Sequence, residues 1–179
     1  TSLISLYEII NIGKKIFKKS FILSIFSILS VLYLTIFSFT AYKSKIFLDE
    51  YGILLILSIC VFSDIGGYVV GNTIGGKKLI KISPKKTISG SIGSFLFSLL
   101  PLIFIGNIFI TSNLNYVIFC LIISLTCQLG DLSISYLKRL AKVKDTGKIL
   151  PGHGGILDRI DGIIFGVPVA FLFWILVIN

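Results

Sequence analysis

The sequence predicts an all-α membrane protein: a polytopic helical bundle of about five transmembrane helices with an N-terminal interfacial helix. Of its 179 residues, 55% are hydrophobic and 14% are charged, and the mean hydropathy is +0.99. Soluble domains carry about 25% charged residues, so lipid must cover much of this surface. Several long apolar runs exclude a single soluble core. No linker or repeat divides residues 1–179, which we treat as one membrane-embedded domain.

Five apolar runs approach or reach the length of about 17–25 residues that crosses a bilayer as a helix. They are Phe21 to Tyr42, Gly52 to Val70, Ile88 to Ile110, Tyr116 to Leu137 and Ile163 to Ile178. The last run is short unless the residues before it join the helix. Residues Ser2 to Ser20 mix apolar side chains with four lysines, which is typical of a helix in the membrane interface.

The basic residues are distributed asymmetrically across these spans. Fifteen of the 17 Lys and Arg residues precede the first span, follow the second or follow the fourth, and these segments share one side of the membrane. The opposite side holds only Lys43 and Lys45. By the positive-inside rule, the three basic segments are cytoplasmic.

Five of the eight acidic residues lie at or near the cytoplasmic ends of the spans. They are Asp64, Asp131, Asp145, Asp158 and Asp161. Ionisable groups at such depth are costly and usually face a bundle interior or an aqueous cavity. Carboxylates among lysines suit a hard cation and a phosphate, because carboxylate oxygens hold Mg²⁺ and the metal bridges phosphate oxygens. The alternative for any single acid, such as Asp64, is a structural ion pair.

Spacing groups the acids with further polar residues. Asp131, Ser135 and Arg139 follow one another at intervals of four and share a helical face. Asp158 and Asp161, three apart, share a face at the start of the last helix.

The turn Gly152-His153-Gly154-Gly155 precedes that last helix. A glycine-rich turn at a helix N-terminus offers backbone N–H groups to an anion, and we favour a phosphate contact for His153 over a structural role. Arg139 and Arg159 are the only arginines. Their planar forks suit phosphate or carboxylate better than lysine does.

A second cluster, Ser83-Pro84-Lys85-Lys86-Thr87, precedes the third span. Ser83 and Pro84 are typical of the N-cap and first position of a helix, which would place both lysines in its first turn. Because cations there oppose the helix dipole, we interpret them as partners of an anion.

Three glycines recur every four residues, Gly67 within the second span and Gly71 and Gly75 after it. Such a stripe lets a neighbouring helix approach closely. Asp64 would lie on the same face.

The stretch from Ser135 to Asp161 resembles the signature of phosphatidate cytidylyltransferases, also called CDP-diacylglycerol synthases. The matching positions are Ser135-Tyr-Leu-Lys-Arg139, Lys144-Asp145-Thr-Gly147 and Leu150-Pro-Gly-His-Gly-Gly-Ile-Leu-Asp-Arg-Ile-Asp161. The blocks Asp64-Ile-Gly-Gly-Tyr68, Ser83 to Thr87 and Gly130-Asp131-Leu132 are similar to the family's other motifs, in the expected order. The resemblance covers roughly Ile53 to the C-terminus.

This resemblance implies that CTP and phosphatidic acid give CDP-diacylglycerol and pyrophosphate, with Mg²⁺ as cofactor and room for a second cation. It implies that Asp131 and Asp158 bind the metal and act in catalysis with Lys144, Asp145 and Asp161. The residues implied in substrate or nucleotide binding are Asp64, Ser83, Lys85, Lys86, Thr87, Ser135, Lys138, Arg139, His153, Gly154, Gly155 and Arg159.

The expected partners are CTP, phosphatidic acid and the lipid bilayer, with no nucleic acid and with a homodimer as one expected assembly. The expected location is a bacterial inner membrane, with the active site facing the cytoplasm. The family commonly has acids where this chain has Ser89 and Ile134, and its members usually carry more spans before the first one here.

Two other functions are compatible with the same residues. A CTP-dependent kinase of a polyprenol-type lipid would use a similar site but transfer the γ-phosphate. A non-catalytic membrane protein that binds cations or lipid needs only the acids and lysines, and leaves the glycine-rich turn and the arginines unexplained.

The charge distribution predicts the sidedness of the loops. A reporter fused after Lys45 should lie outside the cytoplasm, whereas reporters fused after Lys78 and Lys148 should lie inside. Opposite sides for the last two fusions would contradict a single site, because the motifs could not meet.

Overall fold

Long apolar helices form the frame of the protein. The computed structural model describes residues 2–80, 83–105, 114–147, 149 and 154–178. The helices are α1 (Ser2–Ile16), α2 (Ser20–Phe47), α3 (Asp49–Ile74), α4 (Ile88–Phe97), α5 (Leu100–Ile105), α6 (Leu114–Leu140) and α7 (Leu157–Phe173), which continues as a π-helical turn, Trp174–Ile178. Strands β1 (Lys78–Ile80) and β2 (Ser83–Thr87) lie between α3 and α4.

Four helical segments in the described part of the chain are long and apolar enough to cross a membrane. They are Ser20–Phe47, Tyr51–Ile74, Leu114–Leu140 and Leu157–Val177. The expected helical membrane fold is confirmed, and the residues before the last predicted span do join its helix. The outer face of α2 exposes large apolar side chains, among them Phe21, Ile28 and Leu32, as expected of a surface in contact with lipid. The chain is an integral membrane protein.

The third predicted span is broken into two shorter helices. Helix α4 ends at Phe97 and α5 begins at Leu100. Pro101 explains the break, because it lacks a backbone N–H and its ring would clash with the carbonyl of Phe97 in a continuous helix. Residues 106–110 of the predicted span lie outside the described residues.

The lysine block forms a strand, so its prediction as the start of a helix is wrong. Ser83 begins β2, which pairs antiparallel with β1 in the register Ile80↔Ser83 and Lys78↔Thr87. The N-cap of α4 is instead Thr87, whose hydroxyl accepts a hydrogen bond from the Gly90 N–H at 3.1 Å.

Two clusters of buried side chains hold the bundle together. The larger one joins α3, α6 and α7 through residues such as Ile56, Phe119 and Val167. The smaller one joins α1, α2, α6 and α7 and consists of Ile9, Leu34, Ile134, Leu157 and Ile164. Helix α7 contributes to both clusters, so its position fixes the rest of the bundle.

A tyrosine of α2 supplies the hydrogen bond that a proline inside α7 cannot make. Pro168 lacks the N–H that would bond to the carbonyl of Ile164 one turn earlier. The hydroxyl of Tyr33 donates to this carbonyl at 3.1 Å. Lipid offers no replacement hydrogen bond, so a side chain from a neighbouring helix satisfies the freed group.

Helices α3 and α4 approach closely through small residues, as the glycine stripe predicted. A Cβ built on Gly67 would lie 2.6 Å from the Ser94 hydroxyl, and one built on Gly90 would lie 2.7 Å from the Gly67 carbonyl. Gly71 also faces α4, whereas Gly75 ends α3 with a φ of 63°. The close contact brings the hairpin and the start of α4 against the acids of α3 and α6.

Candidate active site

A cavity of about 620 Å³ opens between α3, the hairpin, α4 and α6. Its lining includes four of the predicted site residues, Asp64, Lys86, Thr87 and Asp131. The other lining residues are Gly67, Tyr68, Gly71, Asn72, Leu79, Gly90, Ser91, Ser94 and Gln128. Acids, a lysine and hydroxyl groups therefore share a cavity beside apolar membrane helices.

The hairpin delivers a lysine to the acid of α6. The ammonium group of Lys86 forms an ion pair with Asp131, and the Ser135 hydroxyl donates to the other oxygen of Asp131 at 3.3 Å. This contact confirms that Asp131 and Ser135 share a helical face. The sequence predicted that the first turn of a helix would place this lysine beside an anion. The strand β2 instead places it beside the carboxylate of Asp131.

Two further carboxylates lie close to this pair. Asp161 of α7 lies against Asp131, and Asp64 of α3 interacts electrostatically with both. Carboxyl groups of three helices therefore interact with one another, and Lys86 pairs with one of them, Asp131.

A second lysine–aspartate pair lies at the start of α7. Lys138 donates to Asp158 Oδ1 at 2.7 Å. The other oxygen, Oδ2, accepts from the N–H of Thr146 at 2.8 Å, the hydroxyl of Thr146 at 2.9 Å and the N–H of Gly155 at 3.0 Å. The Asp158 carboxylate therefore binds the end of α6 and both described ends of the connection between α6 and α7.

The turn before α7 was expected to offer free N–H groups to phosphate, and for Gly155 this is wrong. Its N–H is donated to Asp158. Gly154 has a φ of 83°, and a Cβ there would lie 3.0 Å from Asp158 Oδ2, so glycine suits both the backbone conformation and the space. His153 lies outside the described residues, and its phosphate contact stays a prediction.

Glu8 of α1 is a site residue that the sequence analysis missed. Its side chain is 1% exposed and accepts from the N–H of Ile156 at 3.1 Å, the N–H of Leu157 at 2.8 Å and the hydroxyl of Thr146 at 3.0 Å. A signal was present in the sequence: Glu8 is the only acid before Asp49.

The remaining predicted residues belong to the same segments of the chain as these two pairs. Arg139 is exposed and contacts the Val143 carbonyl at 3.5 Å. Lys144, Asp145 and Arg159 are exposed. Ser83 begins β2, and Lys85 lies within it. Their roles in binding or catalysis stay predictions.

Ser89 and Ile134, which stand where the resemblance predicts acids, have structural roles. The Ser89 hydroxyl donates to the Gly75 carbonyl at the end of α3 and lies 3.0 Å from the Thr87 hydroxyl, so it fastens the base of the hairpin. Ile134 is buried in the smaller core cluster. An acid at Ile134 would be buried among apolar side chains, at a high cost in this environment.

A chain of polar side chains runs from the cavity into the bundle. Ser91 of α4 donates to Gln128 of α6 at 2.5 Å, and the Gln128 amide donates to Ser124 at 3.3 Å. Ser124 in turn lies 2.8 Å from Ser63 of α3. These contacts satisfy polar groups at membrane depth and fix α4 against α6 where both line the cavity.

Comparison with known proteins shows to which family the chain belongs. The model of the cytidylyltransferase family matches residues 3–177. The chain belongs to this family. Among its relatives is a phosphatidate cytidylyltransferase of Rickettsia bellii (strain RML369-C), 43% identical over 129 residues, which are 66% of this chain and 56% of the relative.

Other members of the cytidylyltransferase family give the same result. The phosphatidate cytidylyltransferase of Bacillus subtilis (strain 168) is 43% identical over 136 residues, covering 72% of this chain and 49% of that protein. That of Staphylococcus haemolyticus (strain JCSC1435) is 40% identical over 154 residues, covering 83% and 58%. The chain thus spans about half the length of the curated relatives that it matches.

The geometry of Asp158 predicts a loosened connection when its charge is removed. In Asp158→Asn, the side chain can satisfy either Lys138 or the three donors on Oδ2, but not both. Hydrogen bonds to charged groups contribute about 1.5–3 kcal/mol each. Trypsin should therefore cleave after Lys142 and Lys144 at least about tenfold faster.

The matched control for this experiment is Asp145→Asn, an exposed acid in the same connection. Its cleavage rate should stay close to that of the unaltered protein. Equal rates in the two variants would show that Asp158 does not hold the connection.

Proposed function

We propose that this chain transfers the cytidylyl group of CTP to phosphatidic acid, giving CDP-diacylglycerol and pyrophosphate. The observation that carries the proposal is the match of residues 3–177 to the cytidylyltransferase family, together with relatives named phosphatidate cytidylyltransferase. The cavity supports it, because acids and a lysine line a space among apolar helices, where a lipid phosphate and a nucleotide can meet.

The reaction needs no protein nucleophile. An oxygen of the lipid phosphate attacks the α-phosphorus of CTP, a new phosphorus–oxygen bond forms, and the bond to the pyrophosphate leaving group breaks. Catalysis then consists of positioning the two phosphates and stabilising the charge that develops between them. In this proposal Lys86 and Lys138 supply positive charge to the phosphates, and the hydrogen bonds of Asp158 hold the start of α7 beside them.

The acids fit a magnesium ion that binds together with the nucleotide. Among the described residues, no group of three His, Cys, Asp or Glu side chains forms a ready metal cage. Mg²⁺ commonly needs only one or two protein carboxylates, because waters and substrate phosphates complete its shell. Asp131, with the carboxyl groups of Asp161 and Asp64 beside it, provides oxygen ligands of the kind that suit such an ion. When bound, the metal would neutralise charge on the phosphates.

Asp131 and Asp158 are the proposed metal ligands, although both now form ion pairs. Each is paired with a lysine, Lys86 and Lys138 respectively. Asp131 and Asp158 would hold the metal in place of the lysines, and Lys86 and Lys138 would then be available to the substrate phosphates. Ligand exchange of this kind would couple metal binding to nucleotide binding.

The location is also a proposal. The distribution of basic residues supports a site on the cytoplasmic side of a bacterial inner membrane. Contacts from α1 to Thr146 and from β2 to α6 support one shared site, since they join all three basic segments. A homodimer stays a prediction.

Isotope labelling tests the reaction itself. With phosphatidic acid as acceptor, label in the α-phosphate of CTP should appear in the lipid product, and label in the γ-phosphate should leave as pyrophosphate. A polyprenol-type kinase would instead place the γ-label in its lipid and release CDP. Lipid labelled only by γ-labelled CTP would refute the proposal, and transfer of neither label would support the non-catalytic alternative.

The metal assignment predicts two inactive variants. Asp131→Asn and Asp158→Asn should each abolish turnover while the protein still inserts into the membrane. Residual activity should need a higher Mg²⁺ concentration for half-maximal rate if the residue is a ligand. A lower kcat at an unchanged Mg²⁺ requirement would make Asp158 an anchor of the loop alone.

The control is Glu50→Gln, in the first turn of α3 and 14 residues before Asp64, which should keep normal turnover and Mg²⁺ dependence. Near-normal activity in Asp131→Asn would remove that residue from the metal site.

A further inference from the structure

Glu8 precedes all the sequence motifs in the chain, yet its carboxylate contacts residues of the motif stretch from Ser135 to Asp161. It accepts hydrogen bonds from residues 138 to 149 positions away in the chain. Oε1 accepts from the Ile156 N–H, and Oε2 accepts from the Leu157 N–H and from the Thr146 hydroxyl. The carboxylate therefore caps the start of α7 and fastens the far end of the connection at the same time.

Two glycines leave the space that this carboxylate fills. A Cβ built on Gly147 would lie 2.5 Å from Glu8 Oε1, and one built on Gly155 would lie 2.6 Å from both carboxylate oxygens. Any larger residue at either position would push Glu8 out of its place. Gly147 and Gly155 both belong to the motif stretch, so part of that motif accommodates a side chain of α1.

Glu8 and Asp158 act on the same short segment. Gly155 donates its N–H to Asp158, while the next two residues, Ile156 and Leu157, donate theirs to Glu8. The Thr146 hydroxyl lies 3.0 Å from a Glu8 oxygen and 2.9 Å from an Asp158 oxygen. The hydroxyl has one proton to donate, so it bonds to only one of the two carboxylates at a time while it lies beside both.

We propose that Glu8 is a positioning residue for the transfer reaction. It holds Thr146 and the first turn of α7 so that Asp158 and Lys138 face the substrates, which makes α1 a part of the active-site architecture and not only a helix at the membrane surface. This inference rests on the proposed function for its kinetic consequence. Its structural part, that Glu8 holds the start of α7, can be tested without any substrate.

Glu8→Gln is the sharpest variant because it is nearly isosteric. Either orientation of its amide places an NH₂ group against a backbone N–H donor, that of Ile156 or that of Leu157. Amide hydrogen exchange, measured on the full chain in detergent micelles, should therefore become faster at Ile156 and Leu157. Unchanged exchange at both amides would overturn the proposal.

The kinetic experiment separates positioning from simple stability. Glu8→Gln should lower kcat by about tenfold or more, because small displacements of reacting groups are costly, with little change in KM for CTP or phosphatidic acid. The value of kcat is taken per folded molecule. A lower melting temperature with unchanged kcat would reduce Glu8 to a structural residue and overturn the proposal.

A matched control lies one turn away on the same helix. Ser5 is fully buried, and among the described residues its hydroxyl has no hydrogen-bond partner. Ser5→Ala should leave both exchange and kcat unchanged. If the unaltered protein shows no transfer from CTP, the proposed function fails, and the exchange measurement alone decides whether Glu8 holds the loop.

Discussion

The first backbone N–H groups of α7 have no acceptors within their own helix, and this constraint shapes the site around them. Gly155 donates to Asp158, and Ile156 and Leu157 donate to Glu8. In a membrane protein such donors are expensive to leave unpaired, and negative charge at a helix N-terminus is also favourable for the helix dipole. One acid comes from α7 itself and the other from α1. Satisfying three donors therefore docks the N-terminal helix, fixes the connection from α6 and sets the position of α7, which both core clusters share.

A second constraint acts on the other wall of the cavity. Small residues of α3 and α4 let the two backbones approach so closely that a Cβ on Gly66 would lie 2.5 Å from the Gly93 carbonyl. Because α4 follows β2 directly, this approach also determines where the hairpin lies. The Thr87 cap and the hydroxyl of Ser89 hold the hairpin to the ends of the two helices. As a result Lys86 reaches Asp131 across the cavity, and the contact joins elements that are 45 residues apart in the chain.

Much of the frame could be predicted from the sequence, because apolar length and charge asymmetry are local properties. The runs that became α2, α3 and α6 were visible as long apolar stretches, although those of α3 and α6 each contain one acid, Asp64 and Asp131. The hairpin was missed, since Ser83-Pro84 is typical of a helix start and short strands carry little periodicity. Glu8 was missed for a different reason: its partners lie far away in the chain, and no local pattern encodes such contacts. Ser5, Glu8, Ile9 and Ile12 do share a buried helical face, so one acid on an otherwise apolar stripe was the signal available.

The two lysine–aspartate pairs, Lys86 with Asp131 and Lys138 with Asp158, differ in their surroundings. Asp158 is met by Lys138, two N–H groups and a hydroxyl, so donors surround it. Asp131 is met by Lys86 and Ser135, but also by the carboxyl groups of Asp161 and Asp64. Hydrogen-bond donors therefore surround the first carboxylate, whereas further carboxyl groups lie beside the second. In the proposed function, Asp131 would hold a cation, and Lys86 would then be available to a substrate phosphate. Asp158 and Glu8 hold the described ends of the connection through hydrogen bonds within the protein. The arrangement thus separates the cavity around Asp131 from the two carboxylates that hold the start of α7 beside it.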